Sequence, residues 1–244
     1  MHQSAEPCPR YRYYDLLVHT FVVILLISNL VGQKITAIGP FRFSGAMLFF
    51  PVTYIFGDVF TEVYGYGASR RAIWIGFFAS GLLAVMGVVT VWLPPAAGWD
   101  GQAAFAHVFN FVPRIIASSL VAFWCGEFTN SFVMAKMKLV TRGRYLWTRT
   151  VGSTVAGQAV DTLVVTVLTF GGSLSAGLIA NLVLSGYLAK VLYEVAATPA
   201  TYWIVNTLKR REGVNVFDWN TDFNPFHGSA EQPEPAGSLP GTGR

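Results

Sequence analysis

Six apolar runs, each long enough to cross a lipid bilayer as a helix, dominate this 244-residue chain. About 20 apolar residues, at about 1.5 Å per residue, span the roughly 30 Å hydrocarbon core of a bilayer. The runs extend from Tyr14 to about Gln33, Ser44 to about Gly65, Ala72 to Leu93, Pro113 to about Met137, Thr150 to Phe170, and Gly177 to Leu208. We therefore predict an all-α, polytopic membrane protein with six transmembrane helices.

The composition agrees with a membrane protein and limits the possible partners. Hydrophobic residues make up 53% of the chain and charged residues only 12%, whereas soluble domains contain about 25% charged residues. The net charge of +4 does not indicate a nucleic-acid-binding surface, because the basic residues fall in short clusters between the apolar runs. We expect a small-molecule substrate and membrane lipid as partners, expect no nucleic acid, and leave open a homo-oligomer.

The basic residues also predict the orientation, because Lys and Arg beside short loops accumulate on the cytoplasmic side of a membrane. With six spans and the amino terminus inside, twelve basic residues lie inside and three outside. The inside set is Arg10, Arg12, Arg70, Arg71, Lys136, Lys138, Arg142, Arg144, Arg149, Lys209, Arg210 and Arg211, and the outside set is Lys34, Arg42 and Arg114. Both termini are therefore predicted to be cytoplasmic.

Four regions follow from this topology: a cytoplasmic arm over residues 1–13, a transmembrane domain over 14–211, a cytoplasmic segment over 212–227 and a tail over 228–244. The tail is rich in Gly, Pro, Ser and Glu, a composition typical of disorder. The sixth run is either one long helix bent near Pro199 or two segments. In the external loop from Ala96 to Val112, the stretch AAFAHVFNF can form a short amphipathic helix in the membrane interface.

Polar side chains recur inside four of the runs, where a charge near the bilayer centre costs roughly 2.5–3.5 kcal/mol on insertion scales. In the second run, Asp58 and Glu62 are four residues apart and therefore share one helical face, with Arg70 and Arg71 following within reach. The later runs contain Glu127 and Asn130, Gln158 and Asp161, and Lys190 and Glu194. Such residues in a membrane helix predict a polar interior.

Glu127 and Asp161 fall near the middle of their helices, where a carboxylate cannot reach water. We predict that they line a cavity and bind the polar edge of a substrate. The other candidate contacts are Gln158, Asn130, Asn29, Trp124, Phe128 and Tyr54. A carboxylate beside aromatic faces suits a flat heterocycle, which can stack while it donates parallel N–H groups to the acid.

Asp58, Glu62, Lys190 and Glu194 are predicted to form a gating or coupling site. A simpler interpretation stays open for three of them. Lys190 and Glu194 can pair with each other at positions i and i+4, and Glu62 can reach water at the end of its helix.

No cofactor or metal site is expected. His19 and His107 are isolated, and Cys8 and Cys125 lie in different settings without zinc-ligand spacing. The sequence contains no Gly-x-Ser-x-Gly elbow, no paired-histidine metalloenzyme motif and no Gly-Lys-Ser/Thr phosphate-binding loop. We therefore do not expect an enzyme.

Five motifs resemble the queuosine precursor transporters, also called the vitamin-uptake-transporter-like family. They are NLVGQK (29–34), FPVTYIFGDVFTEVYGYGASRRAIWIGF (50–77), GEFTNS (126–131), GQAVDT (157–162) and DFNPF (222–226). The second is the most specific, because its proline, two acids, Tyr-Gly pair and Arg pair have no general reason to recur together.

The resemblance implies a six-helix importer in the bacterial inner membrane. Its substrates would be 7-cyano-7-deazaguanine or 7-aminomethyl-7-deazaguanine, salvaged for queuosine synthesis in transfer RNA. The alternative is a substrate-binding subunit of an energy-coupling-factor type vitamin or nucleobase transporter. Such subunits often dock through an Ala-x-x-x-Ala repeat in the first helix, which LLVHTFVVILLISNL lacks, so a stand-alone carrier is favoured. Proton coupling and facilitated diffusion both stay open.

Overall fold

A computed structural model describes residues 11–31, 34–38, 41–44, 49–109, 113–172, 175–219 and 221–226. In chain order the elements are α1 (Tyr14–Val31), β1 (Ile35–Ile38), β2 (Phe41–Ser44), α2 (Phe50–Val59), a π-helical segment (Phe60–Tyr64), α3 (Tyr66–Trp92), α4 (Gln102–Phe109), α5 (Pro113–Val140), α6 (Leu146–Phe170) and α7 (Ala176–Glu212). The predicted tail over 228–244 and most of the arm over 1–13 lie outside these residues.

The prediction of an all-α fold was incomplete, because a short β-hairpin follows α1. Strands β1 and β2 pair antiparallel, with Ile35 opposite Ser44 and Ile38 opposite Phe41. The sequences ITAI and FRFS are rich in β-branched and aromatic residues, which favour strands. The second predicted span therefore does not begin at Ser44, which ends β2. Its helix begins at Phe50, with Pro51 in the first turn, where a proline is tolerated.

Four helices in the described part of the chain are long and apolar enough to cross a membrane: Tyr14–Val31, Tyr66–Trp92, Leu146–Phe170 and Ile179–Glu212. The remaining two predicted spans correspond to α5 and to α2 with its π segment. Helix α5 has 28 residues but contains buried polar groups, and α2 has only 10 residues before the π segment. Six spans and cytoplasmic termini therefore remain predictions.

The long sixth run forms one helix. Helix α7 has 37 residues and continues through Pro199 to Glu212. At about 1.5 Å per residue it is about 55 Å long, well beyond the roughly 30 Å of a hydrocarbon core. The loop after α3 contains the expected short helix, α4.

Helix ends meet at one end of the bundle, here called the basic end and defined by Tyr64, Ala68, Lys138, Arg149 and Glu212. The Tyr14 hydroxyl donates to the Ala68 carbonyl, and the Tyr64 hydroxyl donates to Glu212. Glu212 also accepts the backbone N–H groups of Arg12 and Tyr13. These contacts tie the start of α1 to the end of α7.

The segment after α7, residues 214–219 and 221–226, crosses the basic end and is here called the C-terminal strap. Arg70 donates to the carbonyls of Asp222 and Asn224, and the Trp74 indole donates to the Pro225 carbonyl at 2.8 Å. The DFNPF motif thus accepts these hydrogen bonds through the backbone carbonyls of Asp222, Asn224 and Pro225. The motif packs onto α3 and is not part of the polar cluster inside the bundle.

Helices α5 and α6 approach closely at two glycines. A Cβ added to Gly126 would lie 2.8 Å from the Cβ of Asp161, and one added to Gly157 would lie 2.9 Å from the Cβ of Asn130. Small residues allow membrane helices to pack backbone to backbone. This close approach brings the polar faces of α5 and α6 together.

Candidate functional site

Three carboxylates from three helices meet inside the bundle and form what we call the acid cluster: Asp58 of α2, Glu127 of α5 and Glu194 of α7. Asp58 and Glu127 are fully buried and Glu194 is 1% exposed. Asp58 lies within electrostatic range of Glu194 and Glu127, and Glu127 within range of Glu194. The cluster brings Glu127, predicted as a substrate contact, together with Asp58 and Glu194, predicted as gating or coupling residues.

Asp58 has direct partners on α5 and α6. Asn130 donates its amide N–H to Asp58 Oδ1 at 3.0 Å, and the Ser153 hydroxyl reaches the same oxygen at 3.4 Å. Asn130, predicted as a substrate contact, therefore binds Asp58, and its role toward a substrate stays a prediction. Asp58 and Glu62, predicted to act together as a gating or coupling site, have different partners: Asp58 binds Asn130, and Glu62 binds cations at the basic end.

Glu127 sits against α2 at Gly57. A Cβ at Gly57 would lie 2.7 Å from Glu127 Oε2, so a larger residue there would displace the carboxylate. Within the described residues, neither oxygen of Glu127 and neither oxygen of Glu194 has a hydrogen-bond partner. Buried carboxylate oxygens in proteins are normally paired, so unpaired ones indicate a missing partner.

Tyr54 and Gln158 line the same region. Tyr54 is 1% exposed and within electrostatic range of Asp161, Glu127 and Glu194. Gln158 lies beside the Tyr54 side chain and is 2% exposed. The structure thus brings Tyr54, Gln158 and Glu127 together, and their role as substrate contacts stays a prediction.

Asp161 is engaged by a cation. Lys190 Nζ of α7 lies 2.5 Å from Asp161 Oδ2. The open interpretation that Lys190 simply pairs with Glu194 is therefore wrong, because the lysine reaches across to α6. Of the two acids predicted to hold the substrate edge, Glu127 has two unpaired oxygens, whereas Asp161 already holds a cation.

Glu62 lies at the basic end and holds three cations. Arg149 donates from Nη2 to Glu62 Oε1 at 2.8 Å and from Nε to Oε2 at 3.1 Å, a bidentate pair. Lys209 Nζ lies 2.5 Å and Lys138 Nζ 3.8 Å from Glu62 Oε1. Glu62 is fully buried, so the interpretation that it reaches water is wrong.

The sequence placed Arg70 and Arg71 within reach of Asp58 and Glu62, but the structure gives Glu62 other cationic partners. Arg70 binds the C-terminal strap, and Glu62 instead pairs with Arg149, Lys209 and Lys138. Lys138 additionally donates to the carbonyls of Glu62 and Val216. Glu62 and its three cations, here called the Glu62 hub, join the π segment to α5, α6 and α7.

Three further predicted substrate contacts, Asn29, Trp124 and Phe128, make their described contacts with residues outside the acid cluster. The Asn29 amide donates to the Ser80 hydroxyl at 3.2 Å and links α1 to α3. Trp124 and Phe128 make edge-to-face contacts with each other and with Trp74. Their roles as substrate contacts stay predictions, and these aromatic contacts show that both rings help to pack α5 against α3.

A groove of about 570 Å³ opens between α6 and α7, beyond the Asp161–Lys190 pair. Its lining is apolar apart from one tyrosine hydroxyl: Ala159, Leu163, Ala176, Ile179, Ala180, Val183, Leu184 and Tyr187. Such a lining offers few partners to a polar ligand. The acid cluster is therefore the better candidate for a polar substrate.

Sequence reasoning missed the polar stripe of α6. Buried polar residues recur every three or four positions along one face of this helix, in places as adjacent pairs: Arg149, Thr150, Ser153, Thr154, Gln158, Asp161, Thr162 and Thr166. The hydroxyl oxygens of Thr150, Thr154 and Thr162 have no hydrogen-bond partner within the described residues. The spacing of Ser and Thr around Gln158 and Asp161 would have revealed this face.

The C-terminal strap contributes a buried acid outside the spans. Asp218 accepts the backbone N–H of Tyr66 at 3.0 Å, at the first residue of α3, and the Thr221 hydroxyl at 3.0 Å. A carboxylate at a helix amino terminus is stabilised by the unpaired N–H groups there. Burial nevertheless raises the pKa of Asp218 above its ordinary value.

No group of three or more His, Cys, Asp or Glu side chains in the described ranges is arranged to hold a metal ion. The polar side chains of the acid cluster instead offer hydrogen-bond acceptors. An organic ligand with N–H donors would satisfy them.

Comparison with known proteins relates residues 44–204 to the family described as "Putative vitamin uptake transporter". A curated relative is the "Probable queuosine precursor transporter" of Bacillus subtilis (strain 168), 30% identical over 146 residues. That alignment covers 59% of this chain and 64% of the relative, slightly less than two thirds of the relative's length. No solved structure matches the chain significantly. The family match covers most of the chain and includes the acid cluster and Arg149, so this chain belongs to the putative vitamin uptake transporter family.

Proposed function

We propose that this chain imports a queuosine precursor, 7-cyano-7-deazaguanine or 7-aminomethyl-7-deazaguanine, across the bacterial inner membrane for salvage into transfer RNA. The observation that carries the proposal is the pair of unpartnered oxygens on buried Glu127. The ring N–H and exocyclic amino group of a guanine-like base present two parallel donors. One carboxylate accepts both, as it does from the fork of an arginine. The name of the Bacillus subtilis relative points to the same class of substrate.

The surrounding side chains are suited to hold such a base. Tyr54 supplies a buried aromatic face, and Gln158 supplies an amide oxygen that has no partner within the described residues. Asn130 orients Asp58 at the side of the site nearer the basic end. In this proposal Glu127 binds the base edge, and Tyr54 and Gln158 fix its plane.

The Glu62 hub is the proposed gate on the cytoplasmic side. It holds the π segment, α5, α6 and α7 together, so a path from the acid cluster to the cytoplasm requires these ion pairs to separate. Asp58 is four residues before Glu62 in the chain and within electrostatic range of Glu127, and it is the proposed coupling residue. Asp58→Asn should then alter turnover more than binding in proteoliposomes. A variant that binds and transports at the parental rate would remove this role.

Import is tested in cells that cannot make the precursor, with queuosine in their transfer RNA as the readout. Expression of the chain should restore queuosine when the base is supplied, and Glu127→Gln should reduce it by about tenfold or more at equal expression. An amide replaces one acceptor of the carboxylate with a donor. Asp15→Asn, an exposed acid of α1, is the matched control and should import normally. Normal import by Glu127→Gln would exclude Glu127 from the site.

Purified protein in liposomes separates a stand-alone carrier from a binding subunit. We expect the chain alone to move a 7-deazaguanine base. Uptake that requires an added membrane scaffold and ATPases would establish the energy-coupling-factor alternative instead. With autonomous uptake, a rate that follows an imposed pH gradient indicates proton symport, and a rate indifferent to the gradient indicates facilitated diffusion.

A further inference from the structure

The acid cluster has more hydrogen-bond acceptors than donors. Five carboxylate oxygens of Asp58, Glu127 and Glu194 lack a partner within the described residues: Asp58 Oδ2, Glu127 Oε1 and Oε2, and Glu194 Oε1 and Oε2. The amide oxygens of Asn130 and Gln158 are unpartnered as well. All of these side chains are at least nine-tenths buried. A ligand that satisfies these oxygens would donate several hydrogen bonds.

The donors around the cluster, which include the Tyr54 hydroxyl and the Gln158 amide, are neutral groups. The Asn130 amide N–H group and the Ser153 hydroxyl both reach Asp58 Oδ1. Three threonine hydroxyls, of Thr150, Thr154 and Thr162, can each donate one hydrogen, but a hydroxyl brings no charge.

The cations of the bundle interior also lie near other acids than those of the acid cluster. Lys190 contacts Asp161, whereas Arg149, Lys209 and Lys138 surround Glu62 at the basic end. Among the described side chains, one cation thus contacts Asp161 and three surround Glu62, whereas the carboxylate oxygens of Glu127 and Glu194 have no hydrogen-bond partner there. Buried carboxylates are stabilised when a cation pairs with them.

We propose that the site selects a base that carries a protonated primary amine, with Glu127 binding the base edge and Glu194 binding the ammonium group. This inference rests on the proposed function and predicts that the chain prefers 7-aminomethyl-7-deazaguanine to the 7-cyano compound. An ammonium group supplies three N–H donors and one positive charge, as a lysine side chain does. A nitrile supplies no donor, and its nitrogen would face carboxylate oxygens.

Glu194 is assigned to the ammonium group because of its position and its free oxygens. It lies on α7, whereas Glu127 lies on α5, so the two carboxylates approach a ligand from different helices. Asp58 already accepts hydrogen bonds from Asn130 and Ser153 at one of its oxygens. Glu194 therefore has the larger unsatisfied capacity.

The test is direct binding of each compound to the purified full chain. Wild-type protein should bind the 7-aminomethyl compound at least about tenfold more tightly than the 7-cyano compound. Equal affinities, or tighter binding of the nitrile, would overturn the inference and leave the import proposal intact. Binding of neither compound, together with no import, would overturn the proposed function itself.

A substitution tests the assignment of Glu194. Glu194→Gln should weaken binding of the 7-aminomethyl compound by about tenfold or more and change binding of the 7-cyano compound by less than about threefold. An equal loss for both compounds would show that Glu194 does not bind the amine. Asp15→Asn should leave both affinities unchanged. Should Glu194→Gln fail to fold, judged by thermal unfolding in detergent, the wild-type ratio still decides the selectivity.

Discussion

Lys190 Nζ of α7 lies 2.5 Å from Asp161 Oδ2 of α6, so this lysine bridges two helices instead of pairing within its own. The Asp161 side chain is 4% exposed and that of Lys190 is 29% exposed. The pair is therefore partly shielded from water, and removing one partner leaves the other charge poorly compensated.

This pair can be tested by a double-mutant cycle. We expect Asp161→Asn and Lys190→Gln each to lower the free energy of unfolding, and the double variant to recover part of the loss, with a coupling of about 0.5–3 kcal/mol. The measurement is unfolding of the purified variants in detergent. Arg210→Gln, at an exposed position near the end of the same helix, should be nearly neutral. Strictly additive effects would show that the pair contributes no interaction energy.

Removing the carboxylate of the Glu62 hub should be severely destabilising. Glu62→Gln leaves Arg149 and Lys138 buried beside Lys209 without a counter-charge, and breaking a buried ion pair in this way typically costs about 3–5 kcal/mol. Thermal unfolding of the variant in detergent measures the loss. Arg211→Gln, which removes an exposed charge at the same end of the bundle, is the control. Wild-type stability of Glu62→Gln would contradict the hub as a structural tie.

The close packing of α5 on α6 predicts a strong dependence on glycine. Gly126→Ala would place a methyl group 2.8 Å from the Cβ of Asp161, and overpacking of this kind typically costs about 1–3 kcal/mol. The variant should unfold at a lower temperature and import less. Gly67→Ala is the matched control, because no atom lies within 4 Å of a Cβ at that helical position. A loss of stability at Gly67 as large as that at Gly126 would indicate a general effect of alanine.

The C-terminal strap should give stability a dependence on pH. The pKa of Asp218 is raised in the folded protein by burial, so the folded state holds its proton more tightly than the unfolded chain does. The contribution of Asp218 to stability is therefore greatest in acid and falls as the pH rises from the ordinary value near 4 through the raised value.

The measurement is thermal unfolding across this pH range for wild type, Asp218→Asn and Asp100→Asn, an exposed loop residue. Asp218→Asn should lose this decline in stability, and Asp100→Asn should retain it. Identical pH profiles for Asp218→Asn and the wild type would show that the acid does not titrate with folding.

Local signals predicted the helix ends better than they predicted the pairing of side chains. Leu93, before Pro94, was predicted to end the third span, and the helix ends one residue earlier at Trp92. The fifth predicted span ends at Phe170, before Gly171, as predicted. Proline and glycine stop helices through the local backbone, so the sequence is sufficient at these positions.

The partners of the buried charges depended on tertiary packing. Lys190 and Glu194 are neighbours at i and i+4, yet the lysine binds Asp161, 29 residues away. Arg149 was assigned to a cytoplasmic basic cluster, but it lies 87 residues from Glu62 in sequence and binds it. Such contacts arise from the crossing of α2, α6 and α7, which no local pattern specifies. The hairpin was missed because most of its residues fall between the first two predicted spans, where no strand was expected, and its last residue, Ser44, was included in the second span.

A single helix, α7, carries both Lys190 at the Asp161 pair and Lys209 at the Glu62 hub. The two lysines are 19 residues apart, which corresponds to about 28 Å along the axis. A helix barely changes its length, so α7 acts as a strut of fixed span between the interior and the basic end. A shift of Lys190 along this axis therefore moves Lys209 as well, unless the helix flexes at Pro199, where a backbone hydrogen bond is missing.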